Sequence, residues 1–277
     1  MKKYFKRVLT WLLKGVPVIK ITASISQLSS SEKLAGKKVV VTGGGRGLGF
    51  YMAKKFIEEG ASVLITGRDE KVLKEASSLL NNCPFISFDV QRIENIPLFI
   101  KEADKLLGGN IDCLVNNAGI SLHESSFTSV TIEGFDKQFT TNLKAPYFLS
   151  QAFVSYWEKN QMTNTNILFI TSERGLYCDV IPYGLTKAAI NSLTAGLSRK
   201  YIKKGFRINA IAPGVTASDM TGFNKNGDLY RENSCGQRVF LPEEVAESAV
   251  FLLSDAAKCI SGEILPCNQG NHYRCDW

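Results

Sequence analysis

A doubly wound α/β fold, with about seven parallel strands covered by helices on both faces, is predicted by three features of the sequence. Residues 38–59 read KVVVTGGGRGLGFYMAKKFIEE: a short β-branched run, a glycine turn, then a helical pattern. Apolar segments without polar alternation recur along the chain, the pattern of strands buried on both faces. Helical segments separate them, so consecutive strands need crossovers and the sheet is parallel.

In order, residues 39–41 form the first strand, and the helix after the glycine turn puts Met52, Phe56 and Ile57 on one side before ending at Gly60. A second strand at 62–66 leads to a helix at 69–80, for which Asp69 is the N-cap. The third strand spans 85–88, and a helix over 93–107 carries Pro97 near its first turn. After a fourth strand at 111–115 the pattern predicts one long helix over 131–157. The fifth strand is 167–170, followed by a helix at 182–202, a sixth strand at 207–211, a helix at Pro242–Leu253 and a last strand at 263–265. Residues 36–277 therefore read as one domain, and residues 1–35 as an extension and linker.

Composition narrows the function. The chain has 277 residues, 44% hydrophobic and 21% charged, enough for one full core. Net charge is +7, but Lys2, Lys3, Lys6, Arg7, Lys14 and Lys20 supply most of it, with no acid among the first twenty residues. The body is near neutral, which argues against a nucleic-acid partner. Seven scattered cysteines form no CxxC and fit a reduced, cytoplasmic setting. With only His123 and His272 in the chain, no metal is expected; Cys267, His272 and Cys275 lie close in sequence but match no ligand spacing.

In the extension, Tyr4, Phe5, Val8, Leu9, Trp11 and Leu12 share one side of a helix, opposite Lys3, Lys6, Arg7, Thr10 and Lys14. Residues 3–14 fit peripheral contact with an anionic membrane surface, an arm packed on the body or a sister subunit, or an interrupted export signal.

A parallel sheet places its ligand outside the carboxyl ends of its strands. Small and polar residues collect there: the turn with Gly43, Gly45, Arg46, Gly47, Leu48 and Gly49, then Asp89-Val90, Asn116-Asn117-Ala118-Gly119, Thr171-Ser172 and Ala212-Pro213-Gly214. The glycine turn puts a helix N-terminus, with its unpaired N–H groups, against a phosphate, the mark of a Rossmann-like nucleotide site. Tyr183 and Lys187 form YxxxK, four apart on one helical face. A nearby ammonium would lower the pKa of the phenol and fit it for acid–base work; a solvated i,i+4 pair is the plainer alternative. Asn142 lies mid-helix, where Asn is mildly unfavourable.

TGGGRGLG at 42–49, NNAG at 116–119, Asn142, Ser172, Tyr183, Lys187 and NAIAPG at 209–214 together resemble the classical short-chain dehydrogenases/reductases, over essentially all of residues 36–270. The resemblance implies that Tyr183 is the acid/base, that Lys187 lowers its pKa and binds the nicotinamide ribose, that Ser172 orients the carbonyl, and that Asn142 supports a proton relay. It further implies that Thr216 and Ser218 meet the carboxamide and that the protein is a homodimer or homotetramer. Ser172 precedes Tyr183 by eleven residues, where the family commonly has thirteen, so the substrate side should be reshaped.

Where NAD enzymes place an acid after the second strand, this chain has Gly67, then Arg68; with Arg46 this favours the 2′-phosphate of NADP(H). Residues 219–240 are expected to cover the substrate as a mobile lid, with Phe223 and Tyr230 either lining an apolar pocket or scattered on the surface. His123, Tyr177 and Cys178 are expected in loops facing the crevice. The function expected is an NADP(H)-dependent interconversion of a secondary alcohol and a ketone in a small-molecule substrate. A non-catalytic NADP(H)-binding scaffold, or an isomerase or dehydratase on the same fold, are the rivals.

Overall fold

The computed structural model describes residues 32–273. The amphipathic stretch at 3–14 and Cys275 lie outside the described residues, so the membrane and arm readings are not addressed by it. The strands are β1 (Lys38–Thr42), β2 (Ser62–Gly67), β3 (Phe85–Ser87), β4 (Cys113–Asn116), β5 (Thr165–Ile170), β6 (Phe206–Pro213) and β7 (Ile264–Cys267). Between them run helices α1 (Gly47–Glu58), α2 (Glu70–Leu79), α3 (Ile96–Leu106), α4 (Ile132–Phe139), α5 (Ala145–Lys159), α6 (Pro182–Tyr201) and α7 (Pro242–Leu253). All seven strands are parallel, in the order β3-β2-β1-β4-β5-β6-β7.

The absence of alternation in the strands has a direct cause. Along β1, Val39 and Val41 face one apolar layer with Met52 and Phe56, while Val40 faces the other with Phe153 and Trp157. Both faces of each central strand are dry, so both parities must be apolar. Trp157, fully buried, still finds a partner for its ring nitrogen, donating from Nε1 to the Ile111 carbonyl at 2.7 Å. Asp69 caps α2 as predicted, its Oδ1 accepting from Lys71 N at 3.0 Å and Val72 N at 3.2 Å.

The long helix predicted over 131–157 is instead two helices joined by a π turn at Thr140–Lys144. Pro146 supplies the reason. It has no N–H for the Asn142 carbonyl four residues back, so the ladder widens, and Ala145 N bonds to Thr140 O instead. The widened turn contains Asn142.

Sequential strands run outward from β1 in one direction to β3, and from β4 in the other to β7. The order reverses between β1 and β4, where the two flanking crossovers diverge and leave a crevice. Registers such as Val41 to Val115, Asn116 to Phe169 and Ile170 to Ile211 bring the carboxyl ends of β1, β4, β5 and β6 nearly level.

At the opposite end of β6, Arg207 is almost fully buried with no carboxylate among its hydrogen-bond partners. Its guanidinium donates to Leu252 O (2.8 Å), Leu253 O (3.3 Å) and Ser254 O (3.1 Å), the carbonyls that end α7, and to Ala257 O (3.1 Å). The negative end of the α7 dipole supports the charge. Arg207→Met keeps the volume but strands these carbonyls. It is expected to cost about 3 kcal/mol of unfolding free energy in urea titrations.

Candidate active site

The crevice at the switch point has a volume of about 1370 Å³, enough for a dinucleotide with substrate beside it. Its floor is the glycine turn. Thr42 closes β1, and its Oγ1 donates to Val115 O (3.2 Å) while accepting from Asn117 N and Ala118 N (3.0 Å each). Asn117 Nδ2 returns to Thr42 O at 2.9 Å and Gly43 O at 3.1 Å. A Cβ on Gly49 would run into the Gly43 carbonyl and the Asn117 amide, so the turn closes only with glycine there. The N-cap residue of α1, Arg46, makes no side-chain cap, and no acid occupies the first turn. The N–H groups of α1 therefore face the crevice with no carboxylate from their own first turn, while Asp219, also in the crevice wall, pairs with Arg46 at 3.7 Å.

Gly43, Gly45, Arg46, Gly47, Leu48 and Gly49 all line the crevice, with Arg68, Asp89, Val90, Asn117, Ala118, Gly119, Pro213, Gly214, Thr216 and Ser218. At its far end Gly67 and Arg68 leave β2, and no carboxylate stands in the Gly67 position. Lys71, in the first turn of α2, joins that wall and adds a cation that the sequence reading overlooked.

Ser172, Tyr183 and Lys187 meet on the opposite wall. Ser172 follows β5, and Tyr183 and Lys187 lie in the opening turns of α6. Lys187 Nζ sits 5.5 Å from the centre of the Tyr183 ring and donates to the Ile170 carbonyl at 2.9 Å. Burial pushes the Lys187 ammonium down to about 8. Burial also raises the Tyr183 phenol above its ordinary value, opposed by its hydrogen bond with Ser172 and the charge of Arg174, and reinforced by Glu173 and Tyr177. Desolvation is the largest influence on Tyr183 and outweighs the Ser172 hydrogen bond and the Arg174 charge that oppose it.

Asn142 does not line the crevice. Its Oδ1 accepts from Ile120 N at 2.9 Å and its Nδ2 donates to Ile120 O at 2.8 Å, so it holds the segment after Gly119 from behind, as another strand would. Gly119 lies between this amide and Lys187 Nζ. Ile120, Ser121 and Thr141 also line the crevice and went unnoticed in the sequence. His123 lines it as expected; Tyr177 and Cys178 are not among its lining residues, and Cys178 is exposed.

The lid expectation is corrected in part. Asp219, Met220 and Thr221 reach the crevice, but Phe223 faces a separate hollow beside Tyr51, and Tyr230 is 59% exposed. The rest of the segment is tied outward, through Lys225 to Glu243 (2.5 Å) and Arg238 to Glu244 (2.6 Å). Cys267 and His272 point to different partners, Ser248 and Asn268.

The family profile described as Enoyl-(Acyl carrier protein) reductase matches residues 43–272. An L-fucose dehydrogenase from Bos taurus is 30% identical over 249 residues, covering 86% of this chain and 90% of that protein. A 3-ketoacyl-(acyl-carrier-protein) reductase from Brucella melitensis, complexed with NADH, superposes with a TM-score of 0.79 at 26% identity, over 87% of this chain and all of that one. A short-chain dehydrogenase from Burkholderia cenocepacia in complex with NADP gives 0.78 at 26% identity, with the same coverage.

The lowered Lys187 pKa has a signed consequence. Between about pH 8 and the ordinary 10.5, the unfolded chain holds a proton on this lysine that the folded chain has lost. The lysine's burial penalty is therefore complete below pH 8 and is relieved as pH rises through that window. In urea titrations without nucleotide, wild type should gain up to about 3 kcal/mol relative to Lys187→Met across it. A pH-independent difference would refute the assignment.

Proposed function

The chain belongs to the classical short-chain dehydrogenase/reductase family, and on that footing we propose that it is an NADP(H)-dependent oxidoreductase interconverting a secondary alcohol and a ketone. The observation that carries this is the convergence of Ser172, Tyr183 and Lys187 on one wall of a crevice whose floor is an acid-free helix N-terminus. When bound, the nicotinamide supplies or accepts the hydride at the substrate carbon. Tyr183 exchanges a proton with the substrate oxygen, and its raised pKa keeps it a phenol, ready to donate in the reductive direction. Ser172 Oγ donates to the same oxygen and sets its position. The Lys187 ammonium stabilises negative charge as it develops on Tyr183 and is placed for the nicotinamide ribose hydroxyls. Asn142 acts by holding Ile120, and Thr216 and Ser218, which line the crevice, would meet the carboxamide.

Arg46 and Arg68 support the choice of NADP(H), since guanidinium forks match a 2′-phosphate. Asp69 Oδ1 caps α2, which leaves only Oδ2 of that carboxylate to meet a ribose hydroxyl. The reading includes a cytoplasmic homodimer or homotetramer. Exposed apolar side chains on the paired long helices support subunit contact: Phe135, Tyr147 and Leu185 are each 38–45% exposed. Free cysteines among the described residues suit a reducing compartment. Sedimentation of the purified protein as a monomer would remove the assembly.

The direct test follows NADPH and NADH oxidation by absorbance with a panel of sugar, acyl-thioester and steroid ketones. Selective turnover of NADPH is expected, with Tyr183→Phe about 10²–10⁴ slower while nucleotide binding and folding are retained. Substantial activity in that variant would refute the mechanism. Tight nucleotide binding without turnover would favour the scaffold reading.

A further inference from the structure

The connection from Ser172 to Tyr183 is short, and it is stapled onto the helix that carries Tyr183. Arg174 grips Asp179 through one edge of its guanidinium, Nε to Oδ2 at 2.6 Å and Nη2 to Oδ1 at 2.7 Å. Asp179 is nearly buried, with 6% of its side chain exposed, and its Oδ1 also accepts from Ile181 N at 3.0 Å, just before α6. Its carboxylate fills the space beside Gly184, where no Cβ would fit. On the other side, Arg174 N donates to Ser172 Oγ at 3.3 Å and Gly175 N to Ser172 O at 2.9 Å. Asn191 Nδ2 of α6 then holds the Gly175 carbonyl at 2.9 Å, and Gly175 packs against the Lys187 backbone.

One ion pair thus closes the chain between the two reacting hydroxyls. We propose that Arg174 and Asp179 are positioning residues for the reaction: their bidentate pair closes the connection that sets Ser172 against Tyr183. The proposal rests on Tyr183 being the proton-exchanging group.

Two physical arguments support it. A bidentate guanidinium–carboxylate pair has a fixed plane, so it orients what it joins, where a lysine would act only as a point charge. A guanidinium also keeps its charge throughout the working pH range, whereas the Lys187 ammonium, pushed down to about 8, begins to lose its own. The other charged and titratable groups near the phenol are Asp179, Glu173 and Tyr177 from the same connection and Lys187 from α6; Asp179 is the counter-ion of Arg174, and Glu173 and Tyr177 disfavour the phenolate. Glu173 is itself held away by Asn268 Nδ2 at 3.1 Å and Asn271 Nδ2 at 3.0 Å. Arg174 is the group that offsets them from the substrate side.

The experiment compares wild type, Arg174→Met and Arg174→Lys, each titrated for tyrosinate by near-ultraviolet absorbance with and without Tyr183→Phe to isolate the Tyr183 step. Arg174→Met is expected to move that step up by about one pH unit, and to move the rising limb of alcohol oxidation with it. At lower pH, kcat should fall about tenfold while NADP affinity changes less than about twofold. Arg174→Lys should restore the titration but not the full kcat, since it keeps the charge and loses the fork. An unmoved Tyr183 step in Arg174→Met overturns the proposal. If that variant does not fold, wild-type titration and kcat in Arg174→Lys overturn the positioning role. The titration needs no turnover, so inactivity of wild type on every carbonyl would refute the assigned reaction and leave the absorbance step to decide this one.

Discussion

A single buried hydroxyl holds the nucleotide end of this molecule in register. Thr42 Oγ1 spends its one proton on the Val115 carbonyl and both lone pairs on Asn117 N and Ala118 N. That is the full capacity of a hydroxyl. The glycine turn after β1 and the turn after β4 are thereby fixed to one another at the point where strand order reverses. Neither turn has a regular ladder to hold it, and both must leave backbone groups open to the crevice. The side-chain bonds of Thr42 and Asn117 satisfy the groups that face inward and leave the outward ones free.

The proton chemistry follows from burial more than from charge. Desolvation moves Tyr183 up and Lys187 down, bringing two groups of similar ordinary pKa apart in the sense that favours neutral forms. A phenol kept protonated suits donation to a carbonyl oxygen. The reverse reaction needs the phenolate, which only nearby cations can stabilise once water is excluded. That makes the permanent charge of Arg174 and the Ser172 hydrogen bond more consequential than they would be at an open surface.

The architecture was legible because its signals are local. Uniformly apolar strands, the glycine spacing and the Asp69 cap each depend on a few neighbouring residues, and the structure has all of them. YxxxK was legible for the same reason, since four residues on a helix fix a shared face. The break at Thr140–Lys144 was missed although Pro146 signalled it; an apolar periodicity running through the break concealed it. What was not readable depends on distant partners. Asn142 becomes a clasp only because Ile120 folds against it, and Glu173 is satisfied by Asn268 and Asn271 at the far end of the chain. Lys71 reaches the crevice through the direction of α2, which composition does not give. The lid was misplaced because Gly and Asn mark a loop without saying which way its ion pairs will draw it.

Cofactor choice at the far end of the crevice turns on a missing acid as much as on the cations present. Asp69 sits two residues beyond the Gly67 position, from which a carboxylate would meet the ribose hydroxyls, and one of its oxygens, Oδ1, is committed to two backbone amides of α2. Freeing it would uncap the helix, at about 1 kcal/mol. Arg46 is not committed in the same way: its pairing with Asp219 spans 3.7 Å between two groups more than 70% exposed. Exposed pairs of that kind contribute about 0–1 kcal/mol and yield to a better partner. A 2′-phosphate would offer Arg46 and Arg68 more charge and a bidentate pair of oxygens at little loss, whereas a bare ribose hydroxyl would find no acceptor in the Gly67 position. The asymmetry between a capping carboxylate and an available guanidinium is what the proposed preference for the phosphorylated nucleotide rests on.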